Sequence, residues 1–335
     1  MNIALPTIDW GAILPILIVM GTGVVAIMIE MIWPRRNNNA IVATSLVGLL
    51  AAGYYLMPQF KEAAGVSLGG MVLRDHIGLV LQLLLIGVGV VTFLFSEKYL
   101  RDKRIPYGEF YPLSLWALSG GMIMVSTTNM LMMFLGLEVL SIALYCLAGM
   151  SRKEAKSEES ALKYFLLGAF ASAFFLYGVA MVYGASGTLD ISGVQFAFEK
   201  GGEDWSRFTI IGVLLMSVGM AFKVALVPFH QWTPDVYQGA PTNVTALMAA
   251  GSKIAAMGMF YRILAASGAF QEYWFPVLYW LAILTMIGGN LFALPQTDVK
   301  RILGYSSVAH AGYLMVALLA HLKAPGEIGI ESVLF

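Results

Sequence analysis

Several residue types that build catalytic and redox centres are scarce in this sequence of 335 residues. Its single cysteine, Cys146, excludes an internal disulfide framework and any metal site made of several cysteines. Charged residues make up 12% of the chain, against about 25% in soluble domains. The 20 basic and 20 acidic residues balance, so there is no basic excess to bind nucleic acid. Phosphate-binding loops, haem ligand pairs and iron–sulfur spacings are also missing, so energy for any transport has to come from elsewhere.

Hydrophobic residues, in contrast, make up 59% of the chain and give it a mean hydropathy of +0.77. A membrane-spanning helix needs about 20 apolar residues. Ten runs of that kind are present, and an eleventh begins near 327: 11–33, 41–59, 76–96, 110–128, 130–149, 161–184, 208–227, 242–266, 273–294 and 303–321. The strands of a β-barrel would alternate over about ten residues, which these uniform runs do not. The sequence therefore predicts an all-α polytopic membrane protein.

Basic residues are unevenly distributed over the predicted loops. With the N-terminus outside, the inner loops carry twelve lysines and arginines and the outer side carries six. Because cytoplasmic loops are rich in these residues, the count predicts an N-terminus outside. The polar inserts 96–109, 151–160 and 187–208 are too short to fold as a separate catalytic module.

Three charged residues lie well inside the apolar runs, namely Glu138, Lys223 and Lys253. A charge near the bilayer centre costs about 2.5–3.5 kcal/mol on insertion scales, so such residues usually serve a function. Burial lowers the pKa of a lysine and raises that of a glutamate, and a nearby opposite charge does the reverse. A lysine whose glutamate partner moves can therefore bind and release a proton. The alternative is a structural ion pair that only fixes helix packing.

The segment that follows Lys223 is rich in helix-breaking residues. Pro228 lacks an N–H group and clashes with the carbonyl four residues earlier, so the helix should end just beyond Lys223. Pro234, Gly239 and Pro241 predict irregular backbone up to the next span. Irregular backbone inside a membrane survives where protein or cavity water satisfies it. The sequence predicts a hydrated pocket here, with His230 as either a proton relay or a hydrogen-bonded core residue; Trp232, Asp235 and Tyr237 add further polar groups.

Two further polar positions are open to both a structural and a functional interpretation. Lys163 lies four residues after Glu159, a spacing typical of a surface ion pair on one helix. His310 lies about two turns into a span, where it is either a helix contact, with Ser306 on the same face, or a relay. Glycine-rich runs such as ALSGGMIM and MIGGN indicate close helix packing.

Three long blocks of the sequence carry a family resemblance. EFYPLSLWALSGGMIMVSTTNMLMMFLGLEVLSIALYCLAG (109–149), FKVALVPFHQWTPDVYQGAPTNVTALMAAGSKIA (222–255) and LPQTDVKRILGYSSVAHAGYLMVAL (294–318) resemble the antiporter-like membrane subunits of respiratory complex I, most closely the subunit N branch. The resemblance implies a fold of fourteen helices with two inverted five-helix repeats and an interrupted seventh helix. It divides the chain into helices 1–3 (1–109), a first repeat of helices 4–8 (110–266) and the start of a second repeat, helices 9–11 (267–335). It also implies that further helices, with a charged residue in the twelfth, follow Phe335.

The resemblance also implies roles for individual residues. Glu138 matches the glutamate of the fifth helix, Lys223 the lysine of the interrupted seventh helix, and Lys253 the connecting lysine of the eighth. His230 matches the histidine of the VPFH block. The candidate proton path is then completed by two residues whose surroundings match the family, Lys163 and His310.

From the resemblance we expect a proton-translocating subunit of an NADH:quinone oxidoreductase in the inner (plasma) membrane. FMN, iron–sulfur clusters and quinone would be bound by other subunits, and no cofactor by this chain. Its partners would be neighbouring antiporter-like and small membrane subunits and the lipid bilayer. A multisubunit cation/proton antiporter, a ferredoxin- or hydrogenase-linked ion pump, and a purely structural subunit are the alternatives.

Overall fold

A computed structural model describes residues 8–33, 38–103, 105, 108–200 and 202–324. Within these ranges the chain is almost entirely helical, with thirteen α-helices and one short hairpin. The helices are α1 (Trp10–Ile32), α2 (Asn38–Leu56), α3 (His76–Asp102), α4 (Phe110–Val125), α5 (Met130–Ala148), α6 (Ala155–Ser186), α7 (Ser192–Lys200), α8 (Gly202–Val224), α9 (Trp232–Gly239), α10 (Thr242–Leu247), α11 (Lys253–Ala266), α12 (Gln271–Ala293) and α13 (Val299–Lys323).

All ten predicted apolar runs are helical over most of their length. In the described ranges, nine helical stretches are long and apolar enough to cross a membrane, and the tenth run forms the shorter α4 of 16 residues. The prediction of an all-α polytopic membrane fold is therefore confirmed. The eleventh run, predicted near 327, lies outside the described residues.

Polar residues mark where several of these helices begin. Asp9 accepts a hydrogen bond from Gly11 N at the start of α1, and Asp75 does the same for Gly78 N in α3. Asn129 caps α5, and Asp298 caps α13 through Arg301 N. Each cap satisfies a backbone N–H group that has no partner inside its helix.

The structure adds elements that hydropathy did not predict. Strands β1 (Gly65–Ser67) and β2 (Val72–Arg74) pair antiparallel, and Arg74 forms ion pairs with Asp9, at 3.1 Å, and with Glu62. α7 lies in the insert 187–208, and α6 begins inside the insert 151–160. Hydropathy marks the apolar part of a helix only, whereas the backbone hydrogen bonds continue into its polar flanks.

The chain forms two compact units, one made of Met1–Ala161 with Ala240–Gly258 and the other of Leu162–Gly239 with Met259–Phe335. In the first unit α4 packs on α1 and α5, and α2 packs on α1 and α3. In the second unit α12 packs along α13, and α9 also contacts α13. The division into one N-terminal region and two repeats stays a prediction.

Glycines permit close contact between helices in both units. A β-carbon on Gly120 of α4 would lie 2.5 Å from the backbone nitrogen of Leu140 in α5, and one on Gly289 of α12 would lie 2.7 Å from that of Ala309 in α13. These two glycines belong to the two glycine-rich runs of the sequence. The predicted close packing is confirmed at both of them.

The break after Lys223 lies where the prolines predicted it. α8 ends at Val224, Ala225 has a positive φ of 66°, and the Val227–Pro228 peptide bond is cis. The prediction of irregular backbone as far as Pro241 is wrong, because Trp232–Gly239 forms α9. Pro234 is the third residue of that helix, where its missing N–H group removes no intrahelical hydrogen bond.

Candidate functional site

Lys223 is buried at the C-terminal end of α8, one residue before the helix stops. Its side chain is 3% exposed, and its Nζ donates a hydrogen bond to the hydroxyl of Tyr164 in α6 at 3.2 Å. The ammonium group also lies 5.4 Å from the centre of the Tyr164 ring, within the range of a cation–π contact. The lysine therefore has both a polar and an aromatic contact on a neighbouring helix.

Trp232, the first residue of α9, connects three elements at this site. Its ring stacks on that of Tyr164 with centroids 4.7 Å apart and planes at 15°. Its indole N–H donates to the carbonyl of Phe222 at 3.0 Å, directly before Lys223. Because α8 stops two residues later, this carbonyl accepts from Ala225 N, three residues on, at 3.1 Å, and the indole supplies a second donor.

A cavity of about 300 Å³ lies beside the break. Its lining is mainly apolar and aromatic, and includes Phe170, Phe174, Val218, Phe222, Gln231 and Trp232. Of the four polar residues expected around a hydrated pocket, Trp232 lines this cavity, while His230, Asp235 and Tyr237 are not among its lining residues. The hydrated pocket around these polar residues stays a prediction.

His230 lies in the turn before α9 and is 8% exposed. Its ring stacks on Phe292 of α12 with centroids 5.7 Å apart and planes at 2°, and its centroid is 6.4 Å from that of Tyr305 in α13. The structure thus packs the histidine among aromatic rings. Its role as a proton relay stays a prediction.

Lys163 forms an ion pair that sequence spacing did not predict. Its Nζ lies 2.8 Å from Oδ2 of Asp235 in α9, and Nη1 of Arg301 in α13 lies 2.6 Å from Oδ1 of the same carboxylate. The three side chains are partly exposed, at 42%, 34% and 26% respectively. Lys163 directly precedes Tyr164, so the ion pair and the lysine contact share one turn of α6.

Glu138 and Lys253 belong to the other compact unit. Glu138 is in the middle of α5, and its Oε1 is buried without a hydrogen bond from any residue that the structure describes. Lys253 is 6% exposed and begins α11, directly after a π-helical turn at Met248–Ser252. A cavity of about 10 Å³, the size of one water molecule, is lined by Leu140 of α5 and Ser252, among others.

His310 lies on the exposed surface of α13. Its Nδ1 is 2.8 Å from the carbonyl oxygen of Ser306, and its ring meets Tyr313 edge-on at 5.6 Å. This is the geometry of a helix-surface contact, and the relay role of His310 stays a prediction. Within the described ranges no cluster of His, Cys, Asp and Glu residues is suited to hold a metal ion.

Sequence reasoning missed two residues of the site. Tyr164 is 59 positions from Lys223, and Arg301 is 66 positions from Asp235. Arg301 stands in KRILGYSS, within a block that carries the family resemblance, and Tyr164 follows Lys163, whose surroundings also match the family. Proximity to residues that match the family was the one sequence signal that could have pointed to Tyr164 and Arg301.

A bundle of spanning helices, a buried lysine and an interrupted helix beside it are together typical of ion-translocating membrane proteins. The family model described as NADH:quinone oxidoreductase/Mrp antiporter, transmembrane region, matches residues 127–335. The chain belongs to this family.

Two curated relatives are each named NADH-quinone oxidoreductase subunit N. That of Chloroflexus aggregans is 37% identical over all of this chain and 68% of its own length. That of Trichlorobacter lovleyi is 38% identical over 97% of this chain and 66% of its own length. The chain thus spans about two thirds of the length of these relatives, and is an antiporter-like membrane subunit of their type.

Three chains of solved structures are similar in fold to this chain. A chain in respiratory complex I from Thermus thermophilus is 36% identical, with a TM-score of 0.76 over 91% of this chain and 64% of its own. A chain of an archaeal membrane-bound sulfane sulfur reductase is 25% identical, with a TM-score of 0.80 over 92% and 65%. A chain of the Mrp complex from Dietzia is 20% identical with a TM-score of 0.76 over 93% and 59%, and shares the fold.

Proposed function

We propose that this chain is a proton-translocating membrane subunit of an NADH:quinone oxidoreductase. The observation that carries the proposal is Lys223, a buried cation at the end of a broken helix whose ammonium group contacts the Tyr164 hydroxyl. Helix interruptions beside buried charges recur at the ion sites of transporters. Redox chemistry on FMN, iron–sulfur clusters and quinone would occur in partner subunits and bias the charge of this lysine.

The chemistry of the site suits proton transfer. Protonated Lys223 donates to the oxygen of Tyr164, and neutral Lys223 can accept a hydrogen bond from the same hydroxyl. Tyr164 therefore has a compatible arrangement for both protonation states of the lysine. The further path would run through Glu138 and Lys253, with His230, Lys163 and His310 joined to it by water.

The assembly and location follow from the same proposal. The partners would be neighbouring antiporter-like and small membrane subunits, and the protein would lie in the bacterial plasma membrane with its N-terminus outside. A second candidate is a subunit of a multisubunit cation/proton antiporter or of a related ion-pumping respiratory complex. The similarity to the sulfane sulfur reductase chain and the Mrp fold favours that alternative, while the relatives at 37–38% identity favour the first.

The test is Lys223→Ala in membrane vesicles that contain the whole complex. Loss of a proton-transferring side chain should lower proton pumping, together with quinone reduction, by about tenfold or more. A native gel should still show the assembled complex. Lys98→Ala, the same substitution at an exposed lysine of α3, serves as the control. Unchanged pumping in an assembled Lys223→Ala complex would contradict the proposal, and loss of assembly together with activity would favour a structural role.

A further inference from the structure

Asp235 holds α9 between two other helices. Its Oδ2 accepts a hydrogen bond from Lys163 Nζ of α6 at 2.8 Å, and its Oδ1 accepts one from Arg301 Nη1 of α13 at 2.6 Å. Charge-assisted hydrogen bonds of this length are the strong kind. The carboxylate therefore links three helices and neutralises one of the two cations that it brings together.

Further contacts attach the C-terminal end of α9 to the start of α13. Arg301 also donates to Gln238 Oε1 at 3.1 Å, and Lys300 donates to the backbone carbonyl of Gln238 at 2.9 Å. The side-chain amide of Gln238 donates to Asp298, the residue that caps α13, at 2.9 Å. A β-carbon on Gly304 would be 3.5 Å from the α-carbon of Pro234, so the two helices lie in contact along this face.

The opposite end of α9 touches the surroundings of Lys223. Trp232 stacks on Tyr164, the residue to which Lys223 donates, and bonds the carbonyl of Phe222 directly before that lysine. α9 has only eight residues, so it is about 12 Å long and too short to be stable without such contacts. A displacement of α9 at one end is therefore transmitted to the other.

We propose that Asp235 is a positioning residue for Lys223: by holding α9 against α6 and α13, its carboxylate keeps Trp232 on Tyr164 and on the Phe222 carbonyl. This inference rests on the proposed function of Lys223. It assigns to Lys163 the role of a counter-ion that fixes α9, in addition to any part in a proton path.

Replacing Asp235 by Asn changes the charge and leaves the shape nearly the same. The amide has one acceptor oxygen instead of two and carries no charge, so it cannot accept from both Lys163 and Arg301 as the carboxylate does, and it no longer offsets the repulsion between these two cations. The repulsion moves α9, and the Trp232 ring no longer stacks on the Tyr164 ring. The Tyr164 hydroxyl then shifts away from the Nζ of Lys223, and the hydrogen bond between them is lost.

The experiment compares Asp235→Asn with Asp235→Glu in vesicles carrying the whole complex, with pumping normalised to the amount of assembled complex. Residues that belong to one network couple strongly, so Asp235→Asn should lower pumping at least about threefold. Asp235→Glu keeps the carboxylate and should restore at least half of the rate. Glu97→Gln, which breaks the ion pair between Glu97 and Arg101 on α3, is the control and should not change pumping.

A double variant separates positioning from a general structural effect. If Asp235 acts through Lys223, Asp235→Asn should cause no further loss in a Lys223→Ala complex, whereas independent effects would multiply. Multiplying losses, wild-type pumping by Asp235→Asn, or failure of Asp235→Glu to restore the rate would each overturn the inference. The proposed function would survive these outcomes as long as Lys223→Ala alone lowers pumping about tenfold or more in an assembled complex; it fails if Lys223→Ala alone leaves pumping unchanged.

Discussion

Two buried lysines of this protein stand beside two differently built helix interruptions. After Lys223 the helix stops, and residues 225–231 separate α8 from α9. Before Lys253 the helix does not stop; it widens into a π-helical turn at Met248–Ser252 and continues as α11. A break releases several backbone groups from their partners, whereas a π turn only shifts the hydrogen bonds by one residue.

The two interruptions differ in whether their backbone carbonyls are bonded by the same turn or by a different helix. The Phe222 carbonyl near the break is bound by the indole of Trp232, which begins the next helix. The Met248 carbonyl in the π turn is bound at 2.7 Å by the hydroxyl of Ser252, four residues further along the same turn. The side-chain bond at the Lys223 break therefore joins separate elements, while the side-chain bond of the π turn stays within that turn. We expect changes around Lys223 to propagate and changes around Lys253 to stay local.

Lys253→Met tests whether the two lysines serve one path in spite of this difference. Methionine keeps the unbranched shape and suits the buried, apolar neighbours Ala255 and Ala256, but it carries no proton. We expect pumping to fall by about tenfold or more, as for Lys223→Ala, because a proton-transferring group is lost. The measurement is proton pumping with quinone reduction in vesicles, with assembly checked on a native gel.

Lys98→Met, at an exposed lysine of α3, is the matched control for this substitution. If the Lys253→Met complex assembles and pumps at the wild-type rate, Lys253 is a structural cation and the path through both lysines is wrong. The break at Lys223 would then be a functional site, and the π turn at Lys253 would be a feature of helix packing.

The sequence predicted the break at Lys223 and not the π turn at Lys253, for a physical reason. Pro228 removes a backbone donor, which is a property of the residue itself and can be read without a structure. No residue in Met248–Ser252 has such an intrinsic effect, and a π turn arises from packing in the folded protein. α9 was missed for the opposite reason, because Pro234 is a helix breaker in most positions but not in the first turn.

The candidate site residues also divide into those whose own chemistry made them predictable and those that depend on contacts in the folded chain. Glu138, Lys223 and Lys253 were predicted because a charge in an apolar run is costly wherever the helix packs. Their surroundings were harder to predict: Tyr164, and the bond between Asp235 and Lys163, depend on contacts 59 and 72 residues apart in the chain. Spacing rules reach only one turn of a helix, so Lys163 suggested Glu159 as a partner and gave no sign of Asp235.

Trp232→Phe tests the connection across the break and should have a smaller effect than loss of either lysine. Phenylalanine keeps a ring for Tyr164 but lacks the N–H group, so the Phe222 carbonyl keeps only its bond from Ala225 N and one buried hydrogen bond is lost, at a cost of about 0.5–1.5 kcal/mol. We expect the free energy of unfolding to fall by that amount. Pumping should fall about two- to fivefold, because Trp232 is coupled to Lys223 through their shared contacts.

Thermal unfolding and vesicle pumping measure these two effects. Trp280→Phe, at a tryptophan of α12 that is 60% exposed, is the matched control and should change neither. A Trp232→Phe complex with wild-type stability and pumping would show that the indole bond does not connect α9 to the Lys223 site.

Ser252→Ala probes the local bond of the π turn and should have the smallest effect of the three. The lost hydroxyl bonds a carbonyl of its own turn, so we expect a cost of about 1 kcal/mol or less and pumping within about twofold of wild type. Ser267→Ala is a close control, because Ser267 is also buried and bonds the Ile263 carbonyl four residues earlier at 2.7 Å. Equal effects of the two variants in thermal unfolding and pumping would support a local role. A loss of pumping by Ser252→Ala as large as that by Lys253→Met would instead place Ser252 on the proton path, since no such loss can come from one local hydrogen bond.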